Sequence, residues 1–247
     1  MKAFSTLFKT EMKLSLRGMD MVIFAICMPV VVMVILGIIF GSKPAFDGAS
    51  YTALEQSFGA VSAIAVCAGG VMGLPLVVSD YRHKKILKRF KVTPVSPTML
   101  LAVQVTVYAV YALVSLVLVY AAAAILFGYQ LHGSWLQFML AFLLVMLTMF
   151  SIGMMVGGIS KNVKTAGVLC SVLYFPMLIF SGATLPYEVM PVPLQKAADI
   201  LPLTQGIKLL KTTSLGLPGD NVLIPVLVMV LLAAVCIGLA IRFFKWE

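Results

Sequence analysis

Six long apolar stretches constrain this chain more than any other feature of its sequence. Crossing the hydrocarbon core of a bilayer as a helix takes roughly 20 apolar residues. The stretches cover residues 21–40, 57–78, 99–127, 135–158, 166–183 and 221–241. Only 11% of the 247 residues are charged, against roughly 25% in soluble domains. We therefore predict an all-α integral membrane protein with six transmembrane helices, built as one domain over residues 1–247.

The basic residues alternate between the connecting segments. The segments before the first span, between spans two and three, between spans four and five, and after span six hold 14 of the 18 lysines and arginines. Basic residues collect on the cytoplasmic side of a membrane. We therefore expect both termini to be cytoplasmic in a multi-pass protein of the cell membrane. The net charge of +9 follows from this bias, so nucleic acid is not an expected partner.

Two segments outside the spans have a predicted structure of their own. Residues 2–17 fit an amphipathic helix in the cytoplasmic headgroup layer. Its apolar positions recur every four residues: Phe4, Phe8, Met12 and Leu16. Basic residues occupy the neighbouring stripe: Lys9, Lys13 and Arg17. Between the last two spans, residues 184–220 contain five prolines, which favours short helices or a re-entrant turn.

No Asp, Glu, Lys, Arg or His lies in the middle of any span, and this limits the possible mechanisms. Proton-coupled carriers accept the cost of such groups in order to build relays, so a secondary carrier is disfavoured. The sequence also lacks a GxxxxGK[ST] phosphate loop, an HExxH pair and a GxSxG elbow. No catalytic or metal-binding residue is predicted. The energy for any transport would have to come from another polypeptide.

Mild polar residues and glycines remain inside the spans. Most polar side chains at such positions form hydrogen bonds between helices. The alternative is that some line a substrate path, and the candidates are Gln104, Tyr108, Tyr111, Ser151 and Tyr174. Two glycine pairs fit close packing of helices within the bundle: Gly69 with Gly73, and Gly153 with Gly157.

Residues 80–97 carry the strongest local signal. The segment is basic and of helical length. The predicted helix stops at Pro94, because proline disfavours helical geometry in the residue before it. Ile86, Leu87 and Phe90 form a narrow apolar stripe. One interpretation is a topology anchor against anionic lipid, worth about 1 kcal/mol per basic residue. A defined helix with a compact apolar stripe instead suits docking into a groove on a partner.

This segment resembles the ABC type-2 exporter permeases. The matching residues are Asp80, Arg82, Leu87, Arg89, Phe90 and 92–96. A second resemblance lies in the outer segment, where Ser-Gly, Leu-Pro and Pro-x-Thr follow in the order typical of that family: Ser181 and Gly182, Leu185 and Pro186, then Pro202 and Thr204. With the length and the six spans, the resemblance covers essentially the whole chain. The family often has Glu where this sequence has Asp80, and Gly where it has Lys85.

The resemblance implies a permease subunit that pairs with an identical chain or a second permease and docks a cytoplasmic ABC ATPase. No cofactor is implied in this chain, since ATP and Mg would be bound by the partner ATPase. Residues 80–93 would form a coupling helix, residues 2–17 an interfacial helix, and the outer segment a cap over the exit path. Contact with the ATPase would involve Asp80, Arg82, Leu87, Arg89 and Phe90.

The expected function is export of a hydrophobic or amphipathic compound, such as a drug, a peptide antibiotic or a lipid-like molecule. The compound would leave the cytoplasm or the inner leaflet. Membrane lipids are the other expected partner. The alternative is a non-transporting membrane subunit, an anchor or sensor that recruits a cytoplasmic partner through residues 80–93.

Overall fold

The computed structural model describes residues 2–41, 43–45, 49, 51–86, 96–182, 187, 190–217 and 222–243. Within these residues the chain is helical, and we number the helices in chain order. They are α1 (Lys2–Gly18), α2 (20–40), α3 (Ala53–His83), α4 (Pro97–Phe127), α5 (Trp135–Ile159), α6 (Val163–Phe180), α7 (Val192–Ala198), α8 (Pro202–Leu215) and α9 (Leu223–Phe243). Two spans contain a π-helical segment: Ile23–Cys27 in α2 and Ala68–Gly73 in α3.

Among the described residues, six helices are long and apolar enough to cross a membrane, which confirms the predicted set of spans: α2, α3, α4, α5, α6 and α9. The largest difference is α3, which extends beyond the predicted 57–78 at both ends. At its start, Thr52 and Glu55 form a capping box in which each side chain accepts a hydrogen bond from the other's backbone N–H. Such a cap satisfies N–H groups that the first turn leaves unpaired, so the helix begins earlier than its apolar residues do.

The fifth span also differs from its prediction. Residues 166–183 were expected, whereas α6 is Val163–Phe180. The Asn162 side chain accepts a hydrogen bond of 2.8 Å from the backbone N–H of Thr165 and so fixes the start of the helix. Pro176 lies inside α6.

The helix α3 lies at the centre of the bundle. Of the residues in its most apolar stretch 83% are buried, against 56% in α5 and at most 33% in the other four spans. It packs against α2, α4, α5, α6 and α8. A displacement of α3 would therefore change its contacts with five other helices.

Glycines allow α3 to approach its neighbours closely, as the two glycine pairs predicted. On one side, Gly69 and Gly73 face the ring of Tyr108 in α4. On the other, Gly153 of α5 lies against the backbone of Gly70 in α3. Gly73 and Gly153 leave no room for a side chain, because an added Cβ atom would overlap the neighbouring helix, whereas at Gly69 it would be in ordinary contact with Tyr108.

The outer segment contains two short helices, α7 and α8, in its described part. α8 is inserted between the first half of α3 and the helices α5 and α9. Its Leu203 and Leu210 are fully buried. Contacts to Asp199, which precedes α8, hold the first half of this helix in place. The Lys208 ammonium lies 2.6 Å from the Asp199 carboxylate, and the Gln205 side chain donates to the Asp199 carbonyl at 2.7 Å. The segment is thus an integral part of the bundle.

Candidate functional site

The predicted coupling residues Asp80 and Arg82 lie in the last turn of α3. The helix continues to His83 and ends at Lys84, so the separate helix predicted over 80–93 does not begin at Asp80. The reason is packing. Val78, Ser79 and Tyr81 are buried against the rest of the bundle, and this keeps α3 helical past the predicted end of the span.

Lys85, the residue after this helix end, has a φ of +55°. This left-handed conformation brings the Cβ atom of an L-residue close to its own backbone, and it is common for glycine after a helix. The resembled family often has glycine here, and the backbone conformation gives the physical reason for that preference.

We therefore expect Lys85→Gly to stabilise the protein by about 1 kcal/mol, because glycine removes the steric cost of the left-handed residue. The matched control is Lys84→Gly, which removes the neighbouring lysine at a φ of −77°. There glycine relieves no strain and should lower stability slightly. Thermal unfolding in detergent measures both variants, and equal effects of the two substitutions would contradict the prediction.

Arg82 connects α3 to the end of α5. Its Nη1 atom donates to the carbonyl oxygens of Gly157 at 3.1 Å, Gly158 at 2.7 Å and Ser160 at 2.9 Å. The last carbonyls of a helix lack partners within it and carry a partial negative charge, so a cation is favourable there. Arg82 thus fixes the end of α3 to the start of the α5–α6 connection.

The other predicted coupling residues divide into two groups. Asp80 is half-buried and forms an ion pair of 2.8 Å with the exposed Lys84. Leu87, Arg89 and Phe90 lie outside the described residues. Their contact with an ATPase stays a prediction.

Gln104, one of the predicted candidates for the substrate path, belongs to a polar cluster, and its role in a path stays a prediction. Its Nε2 atom donates to Glu11 Oε2 at 2.7 Å and to the hydroxyl oxygen of Tyr81 at 3.0 Å. The Tyr81 hydroxyl donates to the same Glu11 oxygen at 2.6 Å. We call Glu11, Tyr81 and Gln104 the α1–α3–α4 cluster, after the three helices that supply them.

Sequence reasoning missed Glu11 because charged residues of an amphipathic helix are by default assigned to the solvated face. α1 is the predicted helix, and Phe4, Phe8 and Met12 of the predicted stripe pack against the core, but Leu16 does not. Leu16 is 47% exposed, while Glu11 lies among the half-buried residues that face α4. The available signal was its spacing of three residues from Phe8, which places both side chains on one side of the helix.

The remaining path candidates lie on three helices around α3. Tyr108 and Tyr111 are buried on α4, with ring centroids 6.3 Å apart. Ser151 donates to the Leu147 carbonyl within α5 at 2.6 Å. Tyr174 contacts the ring of its neighbour in α6. A cavity of about 530 Å³ between α5, α8 and α9 is lined by none of the five candidates, so their role in a path stays a prediction.

Histidine, cysteine and carboxylate side chains are scattered over the described part of the chain. Among these residues, no group of three or more His, Cys, Asp or Glu side chains is placed to hold a metal ion. At the end of the bundle that includes Tyr81, Arg82 and Gln104, hydrogen bonds connect neighbouring helices. This arrangement can transmit movement between helices.

Comparison with known families decides what kind of bundle this is. The sequence profile described as ABC-2 type transporter matches residues 2–215, most of the chain. The chain belongs to the ABC-2 type transporter family. Members of this permease family lack an ATPase domain. That confirms the prediction that ATP hydrolysis is not an activity of this chain, and it identifies the six long helices as those of a multi-pass membrane protein.

Two relatives of this ABC-2 permease carry the name Nodulation protein J. The protein from Rhizobium leguminosarum bv. viciae is 32% identical over 94 residues, which cover 37% of this chain and 36% of the relative. The protein from Rhizobium leguminosarum bv. trifolii is 30% identical over 116 residues, which cover 46% and 42%. The chain therefore aligns with about two fifths of the length of these relatives.

ABC-2 permeases generally pair with an ABC ATPase, which handles ATP. In this ABC-2 permease, residues 84–96 connect the end of α3 to the start of α4. Tyr81 and Arg82 lie just before that connection and Gln104 lies after it. Both ends of the connection are thus attached to other helices by buried or half-buried polar contacts.

Proposed function

We propose that this ABC-2 permease is the transmembrane subunit of an ATP-driven exporter. An ABC ATPase, with its ATP and Mg, docks at the end of α3 and the connection 84–96, through Asp80, Arg82, Leu87, Arg89 and Phe90. The observation that carries the proposal is the attachment of this connection to the central helix. Arg82 bonds α3 to the end of α5, so a displacement of residues 84–96 reaches two spans at once.

The proposed topology rests on the distribution of the basic residues. The connection 84–96 is the most basic in the chain, so it and both termini lie in the cytoplasm, with the protein in the cell membrane. α7 and α8 lie at the opposite end and cap the exit path as re-entrant elements. The buried Leu203 and Leu210 of α8 support this placement over that of a surface loop.

The cargo is a hydrophobic or amphipathic compound that leaves the cytoplasm or the inner leaflet. Apolar side chains dominate the spans, and the cavity between α5, α8 and α9 has leucines and valines with a few hydroxyls in its wall. Such a surface suits drugs, peptide antibiotics and lipid-like molecules alike. The path is completed by a second permease, identical or not, while exposed apolar faces contact membrane lipids.

Arg89→Glu is expected to reduce the amount of ATPase that co-purifies with the permease and the ATP hydrolysis of the complex. The reversed charge removes a cation from the proposed docking surface, and a charge change at an interface alters association with the partner. The matched control is Arg242→Glu, which makes the same charge change on an exposed residue at the end of α9. The control should retain the ATPase.

Two results would count against the proposal. If the unmodified chain holds no ATPase even after mild cross-linking, the protein is not an exporter subunit. Capture of a cytoplasmic protein without ATPase activity would instead support the alternative of an anchor or sensor. If Arg89→Glu retains as much active ATPase as Arg242→Glu, the docking surface is elsewhere.

A further inference from the structure

We propose that the α1–α3–α4 cluster is a joint that makes these three helices move as one body when an ATPase acts on residues 84–96. Glu11, Tyr81 and Gln104 are therefore positioning residues for the coupling of ATP hydrolysis to movement of the spans. The inference rests on the proposed function and adds α1 to the route by which the ATPase acts.

The geometry of the cluster is that of a closed triangle. Both donors meet at one oxygen, Glu11 Oε2, at 2.6 Å from Tyr81 and 2.7 Å from Gln104, and the two donors are 3.0 Å apart. Each corner comes from a different helix. Hydrogen bonds to a carboxylate are roughly twice as strong as those between neutral groups, so one carboxylate holds three helices together.

The surroundings strengthen these bonds. Tyr81 is 9% exposed and Gln104 is 4% exposed, and polar bonds shielded from water gain in strength. Among the described residues, no lysine or arginine forms an ion pair with Glu11. The carboxylate thus depends on its two donors, and loss of either leaves a half-buried acceptor poorly satisfied.

The position of the cluster assigns it to movement. Tyr81 lies three residues before Lys84, and Gln104 lies eight residues after Ser96, so the cluster ties both ends of the connection 84–96 to α1. From there the contact continues into the membrane. Tyr108, one turn after Gln104, packs against Gly69 and Gly73 of α3. A displacement of the connection is shared by α1, α3 and α4.

A static role is the competing explanation, in which the cluster only holds α1 onto the bundle. The two differ in their response to nucleotide. A joint keeps the distance between α1 and α4 constant when the ATPase closes, and its loss lets the helices move separately. A static anchor, once weakened, loosens α1 to the same extent with and without nucleotide.

The test measures the distance between spin labels at Thr10→Cys in α1 and Ala102→Cys in α4, both exposed positions. Cys27, the one exposed cysteine in the described chain, is replaced by serine, and the three others are buried. The full complex with its ATPase is compared without nucleotide and after trapping with ATP and vanadate. In the unmodified joint the distance is expected to be the same in both states.

Glu11→Gln is expected to introduce a nucleotide-dependent shift in that distance, because the neutral amide loses the charge-assisted bonds. Gln104→Glu should act alike, since it places two carboxylates side by side. The double variant Glu11→Gln/Gln104→Glu exchanges the two side chains. The cluster again holds one carboxylate, one amide and the phenol, so this variant should abolish the shift. Lys13→Gln, a loss of charge on the exposed face of α1, should leave the distance constant.

A nucleotide-dependent distance in the unmodified complex would overturn the joint, as would a constant distance in Glu11→Gln. A loosening of α1 that is equal in both states would assign the cluster a static role and also overturn it. Failure of the proposed function is recognised separately, because in that case no ATPase would be present in the purified complex.

Discussion

Gly153→Ala is expected to destabilise the protein by about 3 kcal/mol, a loss large enough to lower the yield of folded protein. A Cβ atom on Gly153 would overlap the carbonyl oxygen of Gly70 and approach the side chain of Pro75. Both sides of the contact include backbone, so no rotamer change can relieve it. The helices α3 and α5 would have to separate, and α3 is the centre of the bundle.

Thermal unfolding in detergent and the fraction of monodisperse protein measure this effect. Gly238→Ala is the control, since Gly238 is also helical but has no neighbouring atom within 4 Å of an added Cβ. That change should be neutral or stabilising by up to about 1 kcal/mol, because alanine favours a helix more than glycine does. Equal behaviour of the two variants would show that α3 and α5 are not in backbone contact.

The second large effect is expected for Arg82→Glu, with a loss of about 3 kcal/mol or more. The substitution replaces a donor to three carbonyl oxygens by a carboxylate, at the negative end of a helix. Arg82→Lys should fall between this variant and the unmodified chain, because the amine keeps the charge but loses the fork of donors. Unfolding in detergent orders the three proteins.

Lys84→Glu is the matched control for Arg82, since it makes the same charge change two residues away on a side chain that is 62% exposed. Exposed ion pairs contribute little, so we expect a cost below about 1 kcal/mol. If Lys84→Glu is as damaging as Arg82→Glu, the effect arises from charge at this end of the bundle in general. The specific bonds to α5 would then be unimportant for stability.

The six spans could be predicted from the sequence because insertion into a bilayer depends on summed transfer free energies over about 20 residues. No tertiary contact is needed for that sum. The ends of α3 were not predictable in the same way. Its start depends on the side chain of Thr52, and its end depends on burial of Tyr81 and on the backbone of Lys85, none of which changes the hydropathy of the span.

In the candidate site, too, individual residues could be predicted from the sequence, but their tertiary contacts could not. Pattern resemblance found Asp80 and Arg82 but not the partners of Arg82, which lie 75 to 78 residues further along the chain. Gln104 was noticed as a polar residue in a span, yet its partners come from α1 and α3. Glu11 was missed because local amphipathicity reports on the face of a helix as a whole. The role of a single half-buried carboxylate becomes visible only with its donors.

The π-helical segment Ala68–Gly73 affects where α3 could lose a residue. A π turn holds one more residue than an α turn. Deleting one residue there converts it to an α turn and leaves the faces of both halves of α3 in place. A deletion elsewhere in α3 rotates all later residues by about 100° and turns Tyr81 and Arg82 away from their partners. We therefore expect a one-residue deletion in α3 to be tolerated only within Ala68–Gly73, where the helix meets α4 and α5.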